Sequence, residues 1–134
     1  MADALRWIAI ARMGGNIALG EENTRAAVKA GKAKLVLLAS DSSPGARKRA
    51  EGYVFEPGTP LADTPYTKHQ ISDISGRPGC SMAAFLDLGL AASFAEALRE
   101  EFGAAYGPVA QRLAERRDRQ RTRNGKSGKR RKCV

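Results

Sequence analysis

The chain has few of the residues that build metal centres or disulfide frameworks. Its 134 residues include one histidine, His69, and two cysteines, Cys80 and Cys133, which form no CxxC pair. A structural zinc site takes about four closely spaced Cys or His ligands, and a disulfide framework takes several cysteine pairs. The composition therefore argues against both, and reduced thiols are typical of a cytoplasmic protein.

Long apolar runs and catalytic motifs are lacking as well. No apolar run approaches the ~20 residues that a membrane span needs, and the N-terminus lacks the basic-then-apolar order of a signal peptide. The sequence has no GxxxxGKS/T loop, no GxGxxG motif and no nucleophile at a recognisable spacing from His69. Glu21, Glu22 and Asp41 have no nucleophile or metal ligand beside them. We expect no enzymatic activity, no metal, no cofactor and no membrane partner.

Positive charge is concentrated in the C-terminal segment. Residues 1–111 hold 12 Lys+Arg and 12 Asp+Glu, whereas residues 112–134 hold 11 Lys+Arg and 2 Asp+Glu, so this segment carries the whole net charge of +9. A neutral body with a basic tail indicates an anionic polymer as partner, with nucleic acid first. The alternative is a tail that only aids solubility. The predicted phosphate contacts of the tail are Arg116, Arg117, Arg119, Arg121, Arg123, Lys126, Lys129, Arg130, Arg131 and Lys132.

The hydrophobic pattern predicts alternating helices and strands. The continuous apolar run 35–39 is typical of a strand that is covered on both faces. Gly20 allows a tight turn into a helix, and Ser43 with Pro44 is a typical helix start. Asp87 can cap the last helix of the core. The predicted helices are 2–13, 21–30, 44–51, 64–75, 88–98 and 106–121, the predicted strands are 16–19, 35–39, 60–63 and 80–86, and no regular structure is expected from residue 122. This order predicts an α/β fold, a three-layer α/β/α sandwich with a small mixed sheet, plus a basic tail.

Two short segments have the chemistry of an RNA-binding site. At the turn 20–25, free backbone N–H groups at a helix start attract phosphate, while Glu and Asn side chains can bond to base edges. In the loop 76–79, Arg77 can stack on an unpaired base. The alternatives are a solvated first helical turn and a plain connection between helix and strand. The basic run 47–49 fits phosphate contacts or a solvated helix face equally well.

The segment GEENTRAAVKAGKAKLVLLASDSS, together with ISDISGRPG and CSMAAFLDLGLAASFAEAL, resembles the L7Ae family of ribosomal proteins over residues 2–101. The resemblance implies an α/β/α sandwich that binds kink-turn RNA, in which a sharp bend exposes sheared G·A pairs and a protruding base. It implies that Gly20, Glu22 and Asn23 read the G·A edges and that the loop 74–79 covers the protruding base. We therefore divide the chain into a domain, 1–103, and a basic, partly helical to disordered tail, 104–134.

The predicted RNA-binding residues combine the resemblance with the charge pattern. This chain has Glu22 then Asn23 where the family has Asn then Glu or Gln, and Ala26 where the family has a lysine. An amide at the second position lacks the charge-assisted hydrogen bond of a carboxylate, and we expect Arg25 and Lys29 to replace the lysine in part. The full set is Gly20, Glu21, Glu22, Asn23, Arg25, Lys29, Lys32, Ile74, Gly76, Arg77, Pro78 and Gly79.

The sequence therefore predicts a monomeric, cytoplasmic, non-enzymatic protein that binds structured RNA. Ribosomal or kink-turn-like RNA is the expected partner, with ribosomal or other ribonucleoprotein components beside it. One alternative is an RNA-recognition subunit of an RNA-modifying enzyme, because the same sandwich serves as the substrate-recognition domain of RNA ribose methyltransferases. The other is a protein-interaction module whose basic tail folds onto an acidic partner.

Overall fold

A computed structural model describes residues 3–132, with side chains up to residue 123. The helices are α1 (Ala4–Met13), α2 (Glu21–Lys29), α3 (Pro44–Phe55), α4 (Lys68–Ser75), α5 (Leu88–Phe102) and α6 (Gly107–Lys132). The strands are β1 (Ile17–Leu19), β2 (Leu35–Leu38), β3 (Leu61–Asp63) and β4 (Met82–Phe85). None of the helices in the described part of the chain has both the length and the apolar character to span a bilayer.

The four strands form one mixed sheet in the order β1-β4-β2-β3. Strand β4 is antiparallel to β1 and β2, whereas β3 is parallel to β2. Three strands therefore end, and β4 begins, at the same end of the sheet, which we call the Gly20 end. The opposite end, where β2 begins and β4 finishes, is the Lys34 end, and there Lys34 N–H donates to the Phe85 carbonyl at 2.7 Å.

Helices cover both faces of the sheet because β2 is apolar at every position. Leu35 and Leu37 belong to the cluster formed with α1, α4, α5 and α6, while Val36 and Leu38 belong to the cluster formed with α2 and α3. All four side chains are at most 1% exposed. Burying a side chain of this size contributes about 1.5–3 kcal/mol. The predicted α/β/α sandwich with a small mixed sheet is confirmed.

Two predicted helix starts are formed by the expected capping residues. The Ser43 hydroxyl accepts a hydrogen bond from Ala46 N–H at 3.1 Å at the start of α3. The Asp87 carboxylate accepts one from Leu90 N–H at 2.9 Å at the start of α5. Each bond satisfies a backbone donor that has no partner within its helix. These local signals were therefore sufficient to locate both helices.

Helix α4 begins later than the sequence predicted. It was expected to open at Thr64, but the Thr64 hydroxyl donates to the Leu38 carbonyl at 2.8 Å and continues the pairing of β3 with β2. The actual cap is Thr67, which forms a capping box with Gln70. Both threonines are plausible caps by local sequence, and the tertiary hydrogen bond of Thr64 decides between them.

Helix α3 is longer than predicted. The sequence expected it to end at Glu51 because Gly52 follows, yet the helix continues to Phe55. Ala50 and Val54, four positions apart, are both buried against the sheet. A glycine inside a helix costs about 1 kcal/mol relative to alanine, and burial of the next apolar turn outweighs that cost.

Helix α6 begins as part of the core. Ala110 and Leu113 are buried, at 2% and 0% exposure, and belong to the same cluster as α5. The Tyr106 hydroxyl donates to the Asp63 carbonyl at 2.7 Å, which places the start of α6 near the Gly20 end. The division of the chain at residue 103 stays a prediction, but the first turns after it are packed on the domain.

The structure also differs from the sequence-based expectation after Arg121. We expected no regular structure from residue 122, whereas α6 continues to Lys132. A helix that is already nucleated adds each residue without the cost of a new first turn, and Arg and Lys are good helix formers. The packed turns around Leu113 supply that nucleus.

We expect Leu113→Ala to lower the free energy of unfolding by about 2–4 kcal/mol, because it leaves a cavity between α6 and the rest of the core. Arg121→Ala, an exposed position on the same helix, should change it by no more than about 0.5 kcal/mol. Urea denaturation of both variants measures the difference. Equal, small effects would show that α6 is not part of the cooperative unit.

Candidate nucleic-acid interface

The turn between β1 and α2 depends on Gly20. Its φ of +91° and ψ of 159° lie in a region that is essentially restricted to glycine. Gly20 N–H donates to the Met82 carbonyl at 2.8 Å, and its carbonyl accepts from Thr24 N–H at 3.0 Å. The first bond ties the turn to β4 and the second begins α2. The backbone at the start of α2 is therefore held at a fixed position on the sheet.

The loop between α4 and β4 lies directly on this turn. A Cβ placed on Gly20 would be 3.3 Å from the Arg77 guanidinium, so this side chain occupies the space above the glycine. Gly76 ends α4 in the left-handed conformation, with φ +74°, and donates to the Ser72 carbonyl at 2.8 Å. The structure thus brings together the two segments that the sequence singled out, one from each half of the domain.

Arg12 is a neighbour of this site that sequence reasoning missed. Its guanidinium lies 3.0 Å from where a Cβ of Gly76 would be. Within the described residues, neither Arg12 nor Arg77 makes an ion pair with a carboxylate. The sequence placed Arg12 only on α1, and no local signal shows that it reaches a loop so distant in the chain. Two guanidinium groups that pair with no carboxylate of residues 3–123 therefore flank the loop.

Glu21 is not available for base recognition in this structure. Its carboxylate accepts from Arg49 Nε at 2.6 Å, from Arg49 Nη2 at 2.9 Å and from the Tyr53 hydroxyl at 2.8 Å. These hydrogen bonds, with the Arg49 charge, lower the pKa of Glu21 to about 2. Glu21, predicted to contact RNA, instead joins α2 to α3 through Arg49, a residue of the basic run for which phosphate contact and a solvated helix face were both open. The bidentate geometry fixes the orientation of α2 relative to its neighbour.

The next two side chains of α2 present acceptors at the same turn. Glu22 is exposed and makes no ion pair with any described residue. Asn23 Nδ2 donates to the Leu19 carbonyl at 2.9 Å, which assigns the orientation of the amide. Its Oδ1 then remains an acceptor. The order Glu22–Asn23 therefore supplies one carboxylate and one amide oxygen.

The remaining predicted residues of the domain divide into two groups. Ile74 is partly buried and packs on the core, so it supports the loop, whereas Pro78 and Gly79 are exposed beside Gly76. Arg25 and Lys29 line a groove between α2 and α3, and Lys32 follows α2. Nine residues of helix extend about 13 Å. Lys29 and Lys32 are therefore separated from the Gly20 turn by the length of α2.

Among the predicted tail contacts whose side chains the structure describes, three lie at the Lys34 end of the sheet. Arg116, Arg119 and Arg123 line a groove there with Lys34. Arg117 lies 3.7 Å from Asp118, and Arg121 is exposed. The side chains of Lys126, Lys129, Arg130, Arg131 and Lys132 lie outside the described residues.

Helix starts are concentrated at the Gly20 end. Helices α2, α3 and α4 each follow a strand that ends there. At the start of α4 the Asp41 carboxylate accepts a hydrogen bond from Lys68 N–H at 2.8 Å, so this carboxylate has a structural partner. Unpaired N–H groups and the helix dipoles make the N-terminal ends partly positive. Among residues 3–123, no cluster of acidic, His or Cys side chains is arranged to hold a metal ion.

Comparison with known sequences decides the family. A profile of the ribosomal protein L7Ae/L30e/S12e/Gadd45 family matches residues 2–88. The chain belongs to this family. The large ribosomal subunit protein eL30 of Pyrobaculum neutrophilum is 36% identical over 90 residues, which cover 66% of this chain and 89% of that protein. The profile match over residues 2–88 contains both the turn 20–25 and the loop 76–79, and it ends before α6.

Two solved structures have the same fold as this domain. A protein of unknown function from Bacillus halodurans aligns with a TM-score of 0.67 and 20% identity, over 73% of this chain and 98% of that one. A Giardia lamblia protein described as a 15.5kD RNA binding protein aligns with a TM-score of 0.60 and 19% identity, over 72% and 82% of the two chains. At these identities the likeness establishes the fold.

We expect Gly20→Ala to destabilise the domain by about 1–3 kcal/mol, because alanine is strained at this φ and ψ and its Cβ crowds Arg77. The matched control is Gly52→Ala inside α3, where a Cβ meets nothing within 4 Å and alanine should stabilise by about 0.5–1 kcal/mol. Thermal and urea denaturation measure both. A loss of stability in Gly20→Ala together with a gain in Gly52→Ala would support a turn that requires glycine at position 20. No change in the free energy of unfolding of Gly20→Ala would contradict it.

The Glu21 contacts predict a pH dependence of stability. The pKa of Glu21 falls from 4.5 to about 2 on folding. The ionised carboxylate therefore makes its full contribution to the free energy of unfolding above about pH 5, and this contribution is lost as the pH falls towards 2. Glu21→Gln should therefore reduce the free energy of unfolding by a constant amount at higher pH, and this difference should shrink between pH 4.5 and about 2. Urea denaturation across this range measures it, with Glu22→Gln as control. A Glu21→Gln effect that is independent of pH would contradict the assignment.

Proposed function

We propose that this protein binds structured RNA of the kink-turn type through the Gly20 turn and the loop 76–79. The observation that carries the proposal is the position of the Arg77 guanidinium against Gly20. This contact joins a helix start with free N–H groups to an exposed loop with a cation, and both are features that bind RNA phosphates and bases. Membership of a ribosomal protein family supports the same class of partner.

The proposed reading of bases uses two acceptors on α2. The Glu22 carboxylate and the Asn23 Oδ1 accept hydrogen bonds from amino groups on exposed guanine edges. Because Asn23 Nδ2 is engaged by the Leu19 carbonyl at 2.9 Å, the amide is held with its oxygen free for this role. An amide oxygen gives a weaker bond than a carboxylate. The reversed order of Glu and Asn is therefore compatible with recognition, at some cost in affinity.

The two arginines beside the loop supply the rest of the contact. Arg77 lies over the Gly20 turn and can stack its planar guanidinium on a base that protrudes from the bend. Arg12, against Gly76, is placed to neutralise an adjacent phosphate. Neither group has to break an ion pair within the described residues before binding, so no such interaction opposes the complex.

The proposed cellular setting is the ribosome or another cytoplasmic ribonucleoprotein particle. The eL30 protein of Pyrobaculum neutrophilum is a large-subunit ribosomal protein by its name, and the Giardia lamblia neighbour is described as RNA binding. We extend both roles to this chain as a monomeric, non-enzymatic binder. Loops at the Gly20 end then act as a preformed contact surface, and binding requires little rearrangement of the domain.

The direct test compares a kink-turn RNA with a straight duplex of equal length. We expect the wild-type protein to bind the kink-turn at least tenfold more tightly, and Arg77→Ala to lose about 5–100-fold of that affinity by losing base stacking. Fluorescence anisotropy with labelled RNA measures both.

The matched control is Arg6→Ala, which removes the same charge from an exposed position on α1. It should change kink-turn affinity by less than about twofold, since exposed charges away from the contact are screened by salt. Equal affinity of the wild-type protein for both RNAs would leave only charge-driven binding and overturn the proposal.

A further inference from the structure

Helix α6 carries a row of arginines at the end of the domain opposite Gly20. With 100° of rotation per residue, the four side chains at positions 112, 116, 119 and 123 point in directions that differ by no more than about 60° around the helix axis. Three of them line one groove with Lys34, which precedes β2. We call this set the arginine row; its members are Arg112, Arg116, Arg119 and Arg123. Arg121 projects from the opposite face of the same helix.

The row is held against the domain at its first two positions. Arg112 Nη2 donates to the Gly58 carbonyl at 2.5 Å, and Arg116 Nη2 approaches the same oxygen at 3.4 Å. Gly58 lies between α3 and β3, at the Lys34 end of the sheet. Leu113, fully buried between these arginines, fixes the rotation of the helix. The direction in which Arg119 and Arg123 project is therefore set by packing.

No acidic side chain neutralises the row within residues 3–123. None of its four arginines takes part in an ion pair, and the one carboxylate in the groove, Asp118, lies beside Arg117 instead. Burial and the neighbouring charges of Arg112 and Arg119 lower the pKa of Arg116. Cations crowded in this way repel one another, and an anionic ligand would relieve that repulsion.

The row and the Gly20 site are too far apart to contact the same few nucleotides. Helix α6 begins near the Gly20 end, where Tyr106 bonds to Asp63, and reaches Lys34 about twelve residues later, which is about 18 Å along its axis. The row itself extends about 16 Å, the length of several successive phosphates of one strand. It also lies beyond the family match, which ends at residue 88.

We propose that the arginine row with Lys34 binds the phosphate backbone of a second RNA segment while the Gly20 end holds a kinked one. This inference rests on the proposed function and adds a second contact of a different kind, without base reading. One protein molecule would then hold two RNA segments against opposite ends of its sheet. A duplex suits the row better than an acidic peptide because regularly spaced guanidinium groups match regularly spaced phosphates.

The test is formation of a ternary complex. Protein saturated with kink-turn RNA is titrated with a fluorescently labelled straight RNA duplex at several salt concentrations. Arg119→Gln/Arg123→Gln should weaken duplex binding at least tenfold and reduce the slope of log K against log salt by about 1.8, since two phosphate contacts are lost. Glutamine keeps the helix propensity of arginine, so the backbone of α6 should be unaffected.

The matched control is Arg6→Gln/Arg121→Gln, which removes the same charge from exposed positions outside the row. It should weaken duplex binding by less than about threefold. Equal losses in the two double variants would show general charge attraction and overturn the proposal, as would a duplex that displaces the kink-turn RNA instead of joining it. Displacement of the duplex by polyglutamate at lower concentration would identify an acidic protein as the occupant and overturn it as well.

Arg77→Ala separates this inference from the proposed function. It should lose affinity for the kink-turn RNA and retain wild-type affinity for the duplex, because Arg77 lies at the other end of the sheet. If kink-turn binding fails altogether, the duplex titration of the protein alone still compares the two double variants. Loss of duplex binding in Arg77→Ala would show that both RNAs use one site, and would overturn the second contact.

Discussion

Burial of β2 on both faces is the constraint on which the rest of the molecule depends. A strand without a polar position cannot face water, so helices must cover both sides of it. Leu35 and Leu37 pack on one layer, and Val36 and Leu38 on the other. Apart from the outer edges of β1 and β3, backbone groups that are not paired in the sheet are therefore accessible at its two ends. Both proposed RNA contacts are found at these ends.

At the Gly20 end, the turn and the start of α2 are each held by hydrogen bonds to residues distant in the chain. The Gly20 turn is tied to Met82 of β4, and the start of α2 is tied to α3 through Glu21, Arg49 and Tyr53. The Arg77 side chain then lies on a surface that is already formed. Such pre-organisation reduces the entropy that binding would otherwise cost.

The sequence predicted the parts of the fold whose signals are local. The apolar run of β2 and the caps Ser43 and Asp87 could be recognised without knowledge of their neighbours. The end of α3, the start of α4 and the extent of α6 could not, because a tertiary contact decides each of them. The site shows the same division between local and tertiary signals. The Gly20 turn and the loop 76–79 could be recognised from their own residues. The engagement of Glu21 by α3 and the approach of Arg12 depend on side chains distant in the chain.

The outer strands of the sheet have a consequence for self-association. Strands β1 and β3, at its two margins, contain three residues each. A margin of that length offers few free N–H and C=O groups to another polypeptide, so the sheet is a poor template for intermolecular strand pairing. At high protein concentration, copies of this domain should therefore resist amyloid-like stacking of their sheets.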